Sequence, residues 1–159
     1  MLREMQVGGL TVDPLTNTPI VLLKDSDERT VVPIWIGFFE ASAIATKLEK
    51  VHLSRPMTHD LIKQILDRVG VKVTKIEIND LRDNTFYALI HLDMEGVRYA
   101  IDARPSDAIA LALRTDAPIY VEEEVIEKSK KIERQKKEGE ELEELLEGFS
   151  AKDFGKYRM

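Results

Sequence analysis

Polar and apolar residues alternate along several short segments of the chain, as expected for β-strands with one buried face. The pattern predicts strands at residues 4–12, 20–24, 30–36, 71–78, 85–92, 97–103 and 117–121. Because the turns that join consecutive strands are short, we expect neighbouring strands to pair antiparallel. Pro118 falls within the last segment. Since proline cannot donate to a strand ladder, we expect that strand at an edge of the sheet.

Three further segments, residues 38–51, 58–69 and 105–114, carry apolar residues at helical spacing. The helix predicted over 58–69 has an apolar stripe that needs a surface to pack on. That stripe comprises Leu61, Ile62, Ile65, Leu66 and Val69. At the start of the third helix, Pro105 suits the first position, where its missing N–H is not needed.

The C-terminal segment has a different pattern. Glutamate and lysine recur four residues apart after Glu122, and Ile132 is the one strongly apolar residue between Glu127 and Glu141. This spacing is typical of a solvated, charged helix. Beyond it lies a short apolar stripe that could dock on the body or on a second subunit, formed by Leu142, Leu145, Leu146 and Phe149. We therefore expect a domain over residues 1–125 and a charged helical tail over residues 126–159.

The two halves of the predicted domain are similar when compared at a shift of 65 residues. Ala43-Ile44-Ala45 then aligns with Ala108-Ile109-Ala110, and both halves read as three strands followed by a helix. We expect an α+β fold: a largely antiparallel sheet built from a duplicated β-β-β-α unit, with helices packed on it. The alternative is that two alanine-rich amphipathic helices coincide by composition alone.

Length and composition restrict the class of protein. A chain of 159 residues can bury one sizeable core, and it contains no cysteine. No apolar run approaches the ~20 residues of a membrane span. We expect a cytoplasmic protein that does not associate with a membrane.

Net charge limits the ways in which this chain could bind nucleic acid. The formal charge is −6, from 23 basic and 29 acidic residues, and residues 1–121 and 122–159 each carry −3. Non-specific binding driven by counterion release normally comes with a basic surplus. Any nucleic-acid role must therefore depend on a local basic patch or on a metal ion that bridges to phosphate.

Two segments, residues 55–60 and 102–107, offer the same chemical groups at the start of a predicted helix: arginine, proline, hydroxyl and carboxylate. Helix N-termini attract phosphate, arginine binds it bidentately, and clustered carboxylates hold Mg²⁺ or Mn²⁺. Glycine-rich phosphate loops, cysteine metal sites and Gly-x-Ser-x-Gly elbows are absent from the sequence. If the fold brings the two segments together, they form a site for a phosphodiester. The alternative at 102–107 is a capped helix start with a surface ion pair.

Three ordered blocks resemble the bifunctional nuclease domain family: Pro33-Ile34-Trp35-Ile36-Gly37 with Glu40-Ala41, the block from Arg55 to Asp60, and the block from Asp102 to Arg114. The resemblance covers nearly all of residues 1–125. It implies nuclease activity on both DNA and RNA, a compact α+β monomer, and a homodimer with a groove that contains the active site.

The first functional hypothesis is a metal-assisted nuclease. In it, His59 acts as general acid or base, and Arg55 and Arg104 contact the scissile phosphate. Carboxylates would hold Mg²⁺ or Mn²⁺, namely Asp102 and Asp107 together with Glu40 or Asp60. The second hypothesis is a non-catalytic regulatory module that binds phosphate, nucleic acid or another anion. The third is a structural dimer in which the 102–107 corner is only a capped helix start.

Overall fold

Residues 1–157, described by a computed structural model, form seven strands and four helices, and side-chain environments are described as far as residue 145. The strands are β1 (Leu2–Val12), β2 (Pro19–Lys24), β3 (Val31–Trp35), β4 (Lys72–Arg82), β5 (Thr85–Met94), β6 (Val97–Ala103) and β7 (Ile119–Glu122). The helices are α1 (Phe38–Leu48), α2 (Thr58–Val69), α3 (Pro105–Thr115) and α4 (Glu123–Tyr157).

The seven strands form one sheet in the order β3-β2-β1-β7-β4-β5-β6. All neighbouring pairs are antiparallel except β4 and β7, which run parallel. The predicted α+β fold with a largely antiparallel sheet is therefore confirmed. Its element order, β1-β2-β3-α1 and then β4-β5-β6-α3 with α2 between them, is the order that a duplication requires. The duplication itself stays a prediction.

Strand β7 lies in the middle of the sheet, so the predicted edge position was wrong. Ile119, its first residue, pairs with Met5 of β1 on one side and with Ile76 of β4 on the other. Pro118 lies just before the paired residues, where the ladder does not need its missing N–H. Its carbonyl oxygen accepts a hydrogen bond from the Ile76 N–H at 3.0 Å.

Helix α3 is the buried centre of the helical layer. Its consecutive residues from Ala108 to Ala112 are almost wholly excluded from solvent, and the helix packs against both α1 and α2. Alanine at three of these positions keeps the helix surface narrow enough for neighbours on several sides. Arg104 is extended before the helix, and Pro105 occupies its first turn, as the sequence predicted. The start of α3 is therefore held by packing on both sides.

The first turns of α4 contribute to the core, because Val125, Ile126 and Ser129 are buried. Farther along, Leu142 and Leu145 are exposed. The other members of the predicted stripe, Leu146 and Phe149, lie outside the described side chains. No helix in residues 1–157 combines the length and apolarity needed to cross a bilayer.

Helix α2 leaves most of its apolar stripe uncovered. Leu66 packs against the core, whereas Leu61, Ile62, Ile65 and Val69 remain 38–60% exposed. Contiguous exposed apolar surface of this kind usually marks an interface.

Candidate active site

The site begins with a contact between the first turns of α2 and α3. His59 Nε2 lies 2.9 Å from Asp107 Oδ1, and the His59 side chain is 10% exposed. Packing of α2 on α3 brings these two helix starts together. The sequence left open whether residues 55–60 and 102–107 meet in space; in the fold they come together at His59 and Asp107.

The negative charge of Asp107 determines which imidazole nitrogen of His59 carries the proton. Burial opposes ionisation of Asp107, but hydrogen bonds with His59 and Arg104 outweigh it and hold the pKa of the carboxyl below its ordinary value. An ionised carboxylate can only accept, so Nε2 of His59 must be the donor. Neutral His59 then carries its lone pair on Nδ1, and Nδ1 is the atom that can take up a proton.

Arg104 lies between two carboxylates. It donates from Nε to Asp107 Oδ2 at 3.0 Å and from Nη1 to Glu40 Oε1 at 2.9 Å, while Nη2 also lies 3.0 Å from Asp107 Oδ2. Hydrogen bonds to Asp107 and Glu40 raise the pKa of Arg104 above its ordinary value. The two hydrogen bonds use two of the five N–H groups of the guanidinium, and with the Nη2 contact at least one hydrogen remains on each terminal nitrogen. Because the side chain is 65% exposed, those hydrogens are available to a ligand.

Glycine at position 37 allows Glu40 to reach Arg104. A Cβ built on Gly37 would collide with the Glu40 carboxylate, so a larger residue would displace that side chain. The steric requirement is therefore local: the strand-to-helix corner before α1 must lack a side chain where the carboxylate folds back.

These residues line an open groove of about 570 Å³, here called the His59 groove. Four charged or titratable residues of its lining, Glu40, His59, Arg104 and Asp107, are here called its floor. Three apolar residues of the lining, Phe39, Leu53 and Met57, are called its rim. The groove thus combines a proton acceptor, a cation with free N–H groups and a carboxylate that can stabilise a protonated imidazole. This set suits general acid-base chemistry on an anionic substrate.

Three other predicted site residues lie elsewhere. Arg55 lines a neighbouring groove rather than the His59 groove. Asp60 accepts hydrogen bonds from the Met57 N–H at 3.0 Å and from Arg114 Nε at 2.6 Å. Asp102 pairs with Leu89 and therefore shares its face of the sheet. Ala88, the neighbour of Leu89, points into the core, so Asp102 lies on the face that is turned away from the core.

The described side chains do not fit a preformed metal centre. Within them, no group of three or more histidine, aspartate or glutamate residues is arranged to hold a metal ion. Both oxygens of Asp107 are engaged, and Asp60 is committed to Arg114. Binding of Mg²⁺ or Mn²⁺ by Asp102, Asp107, Glu40 or Asp60 stays a prediction that these contacts do not support.

Arg114 is a site-positioning residue that the sequence did not reveal. Its side chain is only 3% exposed, and besides Asp60 it donates to the carbonyl oxygens of Ala110 at 2.9 Å and Ala43 at 3.0 Å. It therefore ties α1, α2 and α3 together beneath the groove. The sequence signal that could have revealed this role is an arginine at the end of an uninterrupted apolar run. An arginine on a buried helix needs a carboxylate partner.

Comparison with known proteins agrees with this architecture. The family model described as bifunctional nuclease domain matches residues 21–134. The chain belongs to the bifunctional nuclease domain family. The matched residues include the starts of α1, α2 and α3, and hence every residue on the floor of the His59 groove.

Curated relatives differ in how much of each protein is shared with this chain. An uncharacterized protein of Mycobacterium tuberculosis is 41% identical over 125 residues, which cover 79% of this chain and 74% of the relative. Bifunctional nuclease 2 of Oryza sativa subsp. japonica is 28% identical over 117 residues, which cover 71% of this chain and 36% of the relative. Bifunctional nuclease 1 of Arabidopsis thaliana is 26% identical over 117 residues, which cover 72% of this chain and 36% of the relative. The chain thus spans about a third of these plant proteins.

Proposed function

We propose that this protein is a nuclease that hydrolyses phosphodiester bonds in both DNA and RNA. The observation that carries this proposal is the contact of His59 and Arg104 with the same carboxylate, Asp107, on the floor of an open groove. Membership of the bifunctional nuclease domain family supports it, as do the plant relatives named bifunctional nuclease.

Each groove residue has a role in the proposed reaction. Because DNA lacks a 2′-hydroxyl, one mechanism for both nucleic acids cannot use that group as the nucleophile, and we assign water to this role. Water attacks phosphorus while His59 Nδ1 takes its proton, the bond from phosphorus to the leaving oxygen breaks, and the leaving oxygen takes a proton from solvent. Asp107 orients the imidazole and stabilises its protonated form, and Arg104 donates its two remaining N–H groups to the phosphate oxygens.

The roles of His59, Arg104 and Asp107 do not require these residues to bind a metal ion. Dependence of cleavage on Mg²⁺ or Mn²⁺ is therefore a separate question. A bound divalent ion would supply charge neutralisation at the phosphate.

We also propose that the active form is a homodimer. The uncovered stripe of α2 supports this assignment, since it would leave contiguous apolar surface in water on a monomer.

The test is cleavage of labelled single-stranded RNA and DNA with Mg²⁺, with Mn²⁺ and with EDTA. Wild-type protein is compared with His59→Gln, prepared identically so that a contaminating nuclease would appear in both. His91→Gln is the matched control, because His91 makes the same kind of contact with Glu77 (2.8 Å) away from the groove. Loss of cleavage in His59→Gln alone supports the proposal. Binding of nucleic acid by the wild type without cleavage would favour the regulatory anion-binding module instead.

A further inference from the structure

A second groove of about 440 Å³ adjoins the His59 groove, and we call it the basic groove. Four basic side chains line it, those of Lys47, Arg55, Lys63 and Arg114, against the single carboxylate of Asp60. It lies between the end of α1, the α1–α2 loop and the side of α2 that carries Asp60, Lys63 and Gln64. Basic residues are therefore concentrated here although the whole chain carries −6.

Most of this positive charge is available to a ligand. Arg114 and Asp60 neutralise each other, and Lys63 pairs with Asp67 at 2.7 Å in an exposed contact. Exposed pairs of this kind are weak and readily exchanged for another anion. Within the described residues, neither Lys47 nor Arg55 forms a salt bridge.

The His59 groove, in contrast, has no surplus charge. Arg104 there contacts both Glu40 and Asp107, and Arg114 is already paired with Asp60. Without surplus positive charge, the groove can hold one phosphate through specific hydrogen bonds, but it does not attract a polyanion from solution. The two grooves share Thr46, Leu53 and Arg114 in their linings and therefore adjoin each other.

We propose that the basic groove binds the phosphodiester backbone of the nucleic-acid strand next to the scissile phosphate. This inference rests on the nuclease function proposed for the His59 groove. Lys47, Arg55 and Lys63 neutralise backbone phosphates and release their counterions, which supplies affinity in proportion to strand length. Contacts to phosphate carry no base information, so the groove binds DNA and RNA strands without sequence preference.

Binding is measured by fluorescence anisotropy with labelled single-stranded oligonucleotides, two and six nucleotides long, at several salt concentrations. The test variant is Lys47→Gln with Arg55→Gln. The control is Arg98→Gln with Lys131→Gln, two exposed positions on β6 and α4 that line neither groove. Both double variants change the net charge equally, so a general charge effect appears in both.

We expect the test variant to bind the hexanucleotide several-fold more weakly than the control does. The slope of log K against log salt should become less negative by about 0.7 for each backbone phosphate that the variant no longer neutralises. The weakening should be larger for the hexanucleotide than for the dinucleotide, in both DNA and RNA. Equal affinity and equal salt slope in the two double variants would overturn the inference, as would a wild type that binds no oligonucleotide.

The two proposals fail separately in this design. If the hexanucleotide binds in the basic groove but is not cleaved by the wild type, the groove assignment stands and the nuclease function fails. If the wild type cleaves and the test variant matches the control, the nuclease function stands and the groove assignment fails.

Discussion

His59 Nε2 and Asp107 Oδ1 lie 2.9 Å apart although the two residues are 48 positions apart in the chain. The contact joins the first turns of α2 and α3, and it sets which imidazole nitrogen can accept a proton. The proposed function depends on this pair. Arg104, which donates a hydrogen bond to Asp107, is proposed to contact the phosphate of the substrate.

Replacement of Arg104 by lysine tests whether its forked geometry matters. Lysine keeps the charge but cannot contact Asp107, Glu40 and a phosphate with one planar group. We expect a fall in kcat/KM for both RNA and DNA of about tenfold or more, equivalent to roughly 1.4 kcal/mol of transition-state stabilisation. Steady-state kinetics measure this. Activity equal to wild type would show that only a generic positive charge is needed.

Arg114 is expected to be the most sensitive charged residue for stability. Arg114→Met removes the partner of Asp60 and one donor to the Ala43 carbonyl, so we expect destabilisation of about 3 kcal/mol. Urea denaturation at fixed protein concentration measures it. Arg98→Met is the control, because Arg98 is exposed, and its change should stay within about 0.5 kcal/mol. Equal midpoints for the two variants would contradict the structural role of Arg114.

Acid should destabilise the protein through Asp60 and Asp107. For Asp60, burial opposes ionisation, but hydrogen bonds from the Met57 N–H and Arg114 prevail and lower its pKa; Asp107 also has a lowered pKa. Their stabilising contributions are therefore complete above the unfolded pKa of about 4 and are lost as pH falls through the lower folded values. Denaturation midpoints measured from about pH 5 down to about pH 2 should fall less steeply in Asp60→Asn than in the wild type. Identical slopes in both proteins would rule out this linkage.

The exposed stripe of α2 predicts a dimer that one charge can dissociate. Ile65→Glu places a carboxylate in the middle of the uncovered apolar face without disturbing the core. We expect light scattering at micromolar concentration to give a dimer mass for the wild type and a monomer mass for the variant. Lys72→Glu, an exposed change just beyond the helix, is the control and should stay dimeric. A wild-type monomer mass would contradict the homodimer.

Much of the fold follows from local signals in the sequence. Helix α2 begins and ends where predicted, because Gly70 takes the left-handed conformation that stops the helix. Strand β6 likewise fits between the Gly96 turn and Pro105. The central position of β7 does not follow from local signals, since pairing with β1 and β4 is decided by tertiary packing.

The candidate site was predictable as two segments but not as a set of contacts. His59 and Asp60 are neighbours in sequence, yet successive helical residues project about 100° apart, and one reaches Asp107 while the other reaches Arg114. Asp102 belongs to a strand, where alternation decides the face on which it lies. The composition of a short segment does not show in which direction each side chain projects, because that direction changes from one residue to the next.

The cleavage rate of Asp107→Asn tests the proposed catalytic pair most directly. Asparagine keeps the shape but can no longer stabilise a protonated His59 or fix its Nε2–H form, and general acid-base catalysis typically contributes about 100-fold or more. The matched control is Asp116→Asn at the end of α3, an exposed left-handed position that asparagine also adopts. We predict that kcat on single-stranded RNA and DNA falls about 100-fold or more in Asp107→Asn and stays at the wild-type value in Asp116→Asn. Wild-type kcat in Asp107→Asn would contradict the assignment of the His59–Asp107 pair as the catalytic centre.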